Sequence, residues 1–294
     1  MHMGGIKLAV SGQQLGGFGK SLREILSLLK SLSISWVELW TFNLVGGFRG
    51  RKISEEDLKR TKEILSEYNM GVACVTNGDA FIKEMAEQPD RYVESMKETI
   101  RVAKELNAPF VNCYAYYFAL GHDADIKPLI KVMKPIVDYA EEMGVTVVLE
   151  NEAHDASGTP EGMLKILKAL NSDHFKTNFD ATNYYHANVE PFPYAYELLK
   201  DYIAYIHMKN GCRFIQGIHP DYAKGAPFAP PNESNYIFYP PLPYGAVNIE
   251  GLITRLKDDG YKGFCTLEPH VRTLDKLMEY YKVEIEYLKQ KDIV

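Results

Sequence analysis

The sequence predicts a (β/α)8 barrel, and three observations carry that prediction. Short β-branched or apolar runs alternate with amphipathic helical stretches eight times along the 294 residues. The runs are continuously apolar instead of alternating, which is the pattern of a parallel sheet covered on its outside by helices. Turn residues, Asn69, Asn107, Gly144 and Gly260 among them, stand where a helix gives way to the next strand.

The series begins with IKLAV, followed by a helix predicted over residues 20–32. SWVELW leads into 54–69, GVACVT into 90–106, PFVNCYAY into 126–143, and VTVVLE into 160–170. FKTNFD precedes a helix predicted over 191–201, and FCTLEP precedes a closing helix over 274–288. Between them IAYIHMK is followed by a long irregular segment and then a helix over 248–259. Eight consecutive units suit a closed barrel better than an open, doubly wound sheet. No linker or low-complexity run interrupts them, so residues 1–294 are expected to form one domain. The departure is an insertion after strand seven, residues 211–244, rich in Pro, Gly and aromatics and too long for an ordinary βα connection. It is expected to be a lid over the site or an oligomer contact.

Composition narrows the function. The net charge of −6 arises from 39 acidic and 33 basic residues with no block of one sign, which gives a nucleic-acid partner no electrostatic support. The cysteines, Cys74, Cys113, Cys212 and Cys265, lie far apart with no CxxC pair. That argues against a zinc ribbon, a redox motif or a disulfide framework and for a reduced cytoplasm. The apolar run near the N-terminus is too short for a signal peptide, and no stretch of about 18 apolar residues offers a membrane span.

In such a barrel the active site is built at the C-terminal ends of the strands. Strand five ends VTVVLE at Glu150, strand six TNFD at Asp180, strand seven carries His207 in AYIH, and strand eight ends CTLE at Glu268. Carboxylates that follow apolar runs are withdrawn from water, at a large cost unless a cation or hydrogen bonds compensate. Together with an imidazole they make an oxygen-rich set suited to one Mn2+ or Mg2+, with Co2+ or Zn2+ as alternatives. Taken singly, each is better explained as a polar residue bonded to a loop amide; together they favour the metal. Nearby, Glu152, His154, Asn183, His186, Lys209 and Arg213 can bind hydroxyls. Trp36, Trp40, Phe42, Tyr114, Tyr116, Tyr117, Tyr184 and Tyr185 can offer flat apolar faces, although aromatics at strand spacing are more often core.

LEN at Glu150, FDATN with Asp180 and Asn183, IHMKN at His207 and LEP at Glu268, in that order, resemble the xylose isomerase-like barrels, over nearly the whole chain. That family includes D-tagatose 3-epimerase, hydroxypyruvate isomerase, inosose dehydratase and, more distantly, endonuclease IV. The resemblance implies that Glu150, Asp180, His207 and Glu268 ligate one metal, with Glu150 and Glu268 also acting as acid and base. A carbonyl polarised by the metal would lose a proton from the neighbouring carbon, giving a cis-enediolate. Returning the proton to the adjacent carbon isomerises a small carbohydrate, and returning it to the opposite face epimerises it. Arg213 matches a substrate-binding arginine of the epimerases, and Asn183 stands where they have a substrate histidine. Glu152 lies in a region of polar substrate contacts, with Lys209, His186 and Trp40 as further expected substrate contacts, whereas Ala156 replaces the epimerases' second glutamate after strand five.

Other activities use the same scaffold. An inosose-type dehydratase shares the metal and the proton abstraction, then loses a hydroxyl. An endonuclease IV-like repair enzyme needs further histidines for a three-zinc cluster, but strands three and four end VTNGD and NCYAY without one. A non-catalytic sugar-binding barrel would have no use for intact acid/base glutamates. Barrels of this type often pair, which extends the expected partners to a second copy of the chain by analogy alone.

Overall fold

The computed structural model describes residues 5–215 and 237–293. Its parallel strands are β1 (Lys7–Ser11), β2 (Trp36–Trp40), β3 (Gly71–Thr76), β4 (Phe110–Cys113), β5 (Thr146–Glu150), β6 (Phe175–Asp180) and β7 (Ile203–Met208). Two short strands, β8 (Cys212–Arg213) and β9 (Ile237–Phe238), form an antiparallel pair, and β10 (Phe264–Leu267) completes the parallel set. Each parallel strand pairs with the next in sequence, skipping β8 and β9, and β10 closes the barrel by pairing Lys7 with Phe264 through Val10 with Leu267. The barrel read from apolar runs is therefore the fold, and an insertion follows β7. The expected lid falls largely on residues 216–236, which lie outside the described residues.

Local chemistry sets the helix ends. Ser21 and Glu24 form a reciprocal capping box at Leu22–Ser31, while Ser54, Thr159 and Thr273 each accept a backbone N–H at the start of Glu55–Glu67, Pro160–Leu170 and Leu274–Gln290. Asn69, Asn107, Gly144 and Gly260 adopt φ of 45°, 54°, 65° and 71°, the left-handed conformation that lets a helix stop and a strand begin. One predicted helix is broken. Over residues 191–201 the chain forms short helical pieces, Tyr196–Leu199 among them, because Phe192 is extended (φ −145°, ψ 127°), as the residue before Pro193 prefers to be.

Alternation along the strands sorts the side chains. Outward residues such as Val37, Leu39, Leu149, Ile206 and Leu267 pack under the helices. Inward residues near the strand starts, Ala9, Cys74, Val148, Tyr205 and Phe264 with Trp36 and Phe110 beside them, fill the barrel floor with a second apolar cluster. Two residues further along several strands the interior turns polar, with Ser11, Glu38, Thr76, Asn112, Glu150, His207 and Thr266 all buried. The fold therefore places a set of buried ionisable groups above an apolar plug. Among the described residues no helix is long and apolar enough to cross a membrane.

Candidate metal centre

Glu150, Asp180, His207 and Glu268 meet at the C-terminal mouth of the barrel, each offering a ligand atom within 4.8 Å of the others. None exceeds 3% exposure. His207 Nδ1 lies 3.1 Å from Glu150 Oε1 and 3.2 Å from Glu268 Oε2. Asp180 Oδ1 accepts the N–H groups of Thr182 and Asn183, each at 2.9 Å, and so caps Ala181–His186 while Oδ2 stays turned toward the cluster. Asn151 fixes this carboxylate's backbone by bonding both its N–H and its C=O at 2.9 Å.

Two atoms decide whether a cation fits. His207 Nδ1 and Asp180 Oδ2 are buried without a hydrogen bond of acceptable geometry, although both lie close to charged neighbours. Lys209 Nζ, 2.7 Å from Oδ2, offsets part of that burial, and a divalent cation among three carboxylates and an imidazole nitrogen would satisfy both atoms. The four groups therefore suit one hard or borderline divalent ion.

The surroundings hold the ligands in place. Glu150 Oε2 accepts from Asn112 Nδ2 at 2.9 Å and from Asn178 Nδ2 at 3.4 Å. The Asn183 side chain donates to Asn151 O at 2.9 Å and to Glu150 Oε1 at 3.4 Å, so its amide serves the ligand loop. Sequence reasoning missed Asn112 and Asn178, and also Glu38, whose Oε2 is 2.7 Å from His207 Nε2. The signal was available, because a polar residue at an inward position of a fully covered strand needs a buried partner.

Lys209, two residues beyond His207, places Nζ 2.7 Å from Asp180 Oδ2 and 2.9 Å from Glu268 Oε2. It also lies 3.4 Å from Nε2 of His270, another residue the sequence reading passed over. Burial opposes charge on every group here, and the neighbours decide the outcome. Glu268 is desolvated, yet His207 and Lys209 hold it well below the usual carboxylate range. Burial would lower His207, but Glu150, Glu268 and Glu38 carry it well above the ordinary imidazole value. Lys209 is raised in the same way by Asp180, Glu268 and Glu150. Glu152 differs: burial, then repulsion from Glu150, push it well above the usual carboxylate range.

The remaining expected contacts are dispersed. Trp40 is buried at the same end of the barrel, its ring 5.9 Å from Tyr114 and 5.7 Å from Phe42. Arg213 lies over the Tyr185 ring at 5.1 Å and donates to Tyr185 O and Asn188, beside a cavity of about 420 Å3 that also touches Phe192, Val247 and Asn248. His186 packs edge-on against His154 at 4.9 Å, flanking a smaller cavity of about 280 Å3 with His122. Trp36 does not belong with the strand-end aromatics. It begins β2, 5.0 Å edge-on to Phe264 in the barrel floor, because the first residue of a parallel barrel strand lies at the end opposite the site.

Comparison with known proteins agrees with this architecture. No curated protein matches the sequence. Among solved structures, the probable 3-DHS dehydratase AsbF of Bacillus anthracis superposes with a TM-score of 0.75 at 17% identity, covering 97% of this chain and 99% of that one. A xylose isomerase-like TIM barrel protein of Mycobacterium smegmatis, in complex with magnesium, gives 0.71 at 18% identity and covers 98% and 96%. A D-allulose 3-epimerase from Methylomonas sp. gives 0.68 at 15% identity, covering 97% and 98%. Identities this low establish shared fold alone. The model of one family matches residues 26–291, and the chain belongs to that family, the xylose isomerase-like TIM barrels.

Proposed function

We propose that the protein is a divalent-metal-dependent isomerase or epimerase that moves a proton at a carbon next to a carbonyl of a small carbohydrate. The observation that carries this reading is the meeting of Glu150, Asp180, His207 and Glu268, all buried, with ligand atoms within 4.8 Å of one another. Those four residues would hold the ion, which when bound supplies Lewis-acid polarisation of a substrate carbonyl. Mn2+ or Mg2+ suits the oxygen-rich set best.

In this reading the chain's own groups handle the protons. Glu268, held ionised by His207 and Lys209, accepts one from carbon, and Glu150, steadied by Asn112 and Asn178, works from the other side. Glu152, beside the ligand loop and raised above the usual carboxylate range by burial and by Glu150, supplies a further polar contact to the substrate. Lys209 balances the negative charge that grows as carbon loses its proton. Asn183 orients Glu150, and Trp40, at the same end of the barrel, supplies a further substrate contact. Support from outside the chain is that the similar structures include an epimerase and a protein holding magnesium.

A dehydratase is the second reading, and Lys209 favours it. A buried ammonium 2.9 Å from Glu268 is placed to hydrogen-bond a hydroxyl that departs from the carbon beside the one deprotonated. Incubating the metal-loaded protein with ketoses, aldoses and cyclic polyol ketones separates the two. Products of unchanged mass support isomerisation or epimerisation, products lighter by one water support dehydration, and no turnover with any metal removes both.

A further inference from the structure

Glu38 is the charged residue of the strand WVELW, and it is fully buried inside the barrel beside His207. Side chains from three other strands bond it. Oε1 accepts from Thr76 Oγ1 at 2.9 Å and Ser11 Oγ at 3.4 Å, and Oε2 accepts from Tyr205 OH at 3.0 Å and His207 Nε2 at 2.7 Å. Thr266 Oγ1 donates to Tyr205 OH at 2.5 Å, extending the chain of donors to β10. Every neighbour of this carboxyl group is a donor, and together they fill its acceptor positions.

The consequence falls on His207. A neutral imidazole has one donor and one acceptor nitrogen, and the hydrogen bond made by one determines what the other can do. Nε2 faces a group that only accepts, so Nε2 keeps its hydrogen and the lone pair of the neutral ring belongs to Nδ1. Nδ1 is the atom between Glu150 and Glu268, at 3.1 and 3.2 Å. The Tyr205 ring, 5.8 Å away at 69°, packs against the imidazole, so the residue that bonds Glu38 also limits how the histidine can turn.

We propose that Glu38 is a positioning residue that directs Nδ1 of His207 into the metal centre and, by its charge, strengthens that nitrogen as a ligand. The proposal rests on the metal reading above and adds to it a specific outer partner, held by side chains of β1, β3 and β7, of which β1, β2 and β3 carry no expected ligand. A carboxylate behind a ligating histidine fixes ring orientation and raises basicity, and losing such a partner weakens metal binding by about 10–100-fold. A carboxylate that merely satisfies a polar barrel interior would affect folding stability and leave the affinity of the folded protein unchanged.

The test is calorimetric titration of the chelator-stripped full-length protein with Co2+, with the visible spectrum recorded as a report on coordination. Wild type, Glu38→Gln and Glu38→Leu are compared with their melting temperatures. Glu38→Gln keeps an acceptor and loses charge, so about 10-fold weaker binding with a wild-type-like spectrum is expected. Glu38→Leu loses both, and about 100-fold weaker binding with an altered spectrum is expected. If neither variant folds, Thr76→Val and Tyr205→Phe, which each remove one donor to Glu38, should weaken binding several-fold. Affinities within twofold of wild type across the folded variants overturn the positioning role while leaving the metal centre standing. A wild type that binds no Co2+ overturns the metal centre itself, and the role of Glu38 with it.

Discussion

Lys209 Nζ stands 2.7 Å from Asp180 Oδ2, so an ammonium is seated against one of the groups that would bind a divalent cation, and Glu268 Oε2 is only 2.9 Å from the same nitrogen. The two cations must share these carboxylates. At an effective dielectric near 20, unit charges about 4 Å apart interact by roughly 4 kcal/mol, which is large on the scale of metal affinity. Lys209→Met should therefore tighten Mn2+ binding by at least about tenfold. It should also lower turnover by on the order of 10²-fold, because a donor aimed at developing charge is lost. Titration calorimetry alongside steady-state rates checks both, and weaker metal binding would make Lys209 a support of the site instead of a competitor.

Metal binding should release a proton. With the metal absent, burial lowers His207 but Glu150, Glu268 and Glu38 raise it well above its ordinary value, so a proton competes with the metal for Nδ1. Affinity should rise with pH through the neutral range. About one proton per metal should appear when binding heats are compared in buffers of different ionisation enthalpy. Heats independent of buffer would contradict this.

Occupancy should stabilise the fold. A ligand that binds only the folded state at 100 times its Kd adds about 2.7 kcal/mol. With roughly 2–4 °C per kcal/mol for chains of about this size, chelation should lower Tm by several degrees and Mn2+ should restore it. Asp180→Asn should abolish most of that metal-dependent shift.

Asp155 links the barrel mouth to pH. Its carboxylate accepts from the N–H of Tyr116 at 2.8 Å and from Ser157 N and Oγ, yet burial raises it to about 6. The folded state holds a proton that the unfolded chain, at the ordinary value of 3.8, has already released. Stability from this group is thus full below about pH 4 and is lost as pH rises toward 6, by on the order of 3 kcal/mol. Melting curves between pH 4 and 6 should show this slope in the wild type and a flatter one in Asp155→Asn.

Much of the architecture was legible because apolar runs and turn residues act locally. VTVVLE, FKTNFD and GVACVT read as strands and are strands, and Asn69, Asn107, Gly144 and Gly260 take the left-handed backbone their positions demanded. The four clustered groups were legible because the C-terminal strand ends of a barrel converge. Glu38, Asn112 and Asn178 were not, since their meaning depends on which neighbour stands across the interior, and Tyr205 and His207 are far away in sequence. Trp36 was misplaced for a related reason, as the strand's direction, not its composition, decides which end faces the site. The break at Phe192 came from the residue after it, a local cue that a helical apolar pattern masked.

The central claim is that a divalent metal and the pair Glu150 and Glu268 move a proton on a carbohydrate carbon. The most direct test is NMR in D2O of candidate sugars with chelator-stripped protein, with and without Mn2+, beside Glu150→Gln and Glu268→Gln. The account predicts deuterium at one carbon next to the carbonyl, present only with metal and lost in both variants. Exchange that persists after chelation or in both variants, or sugar binding with no exchange under any metal, would contradict it.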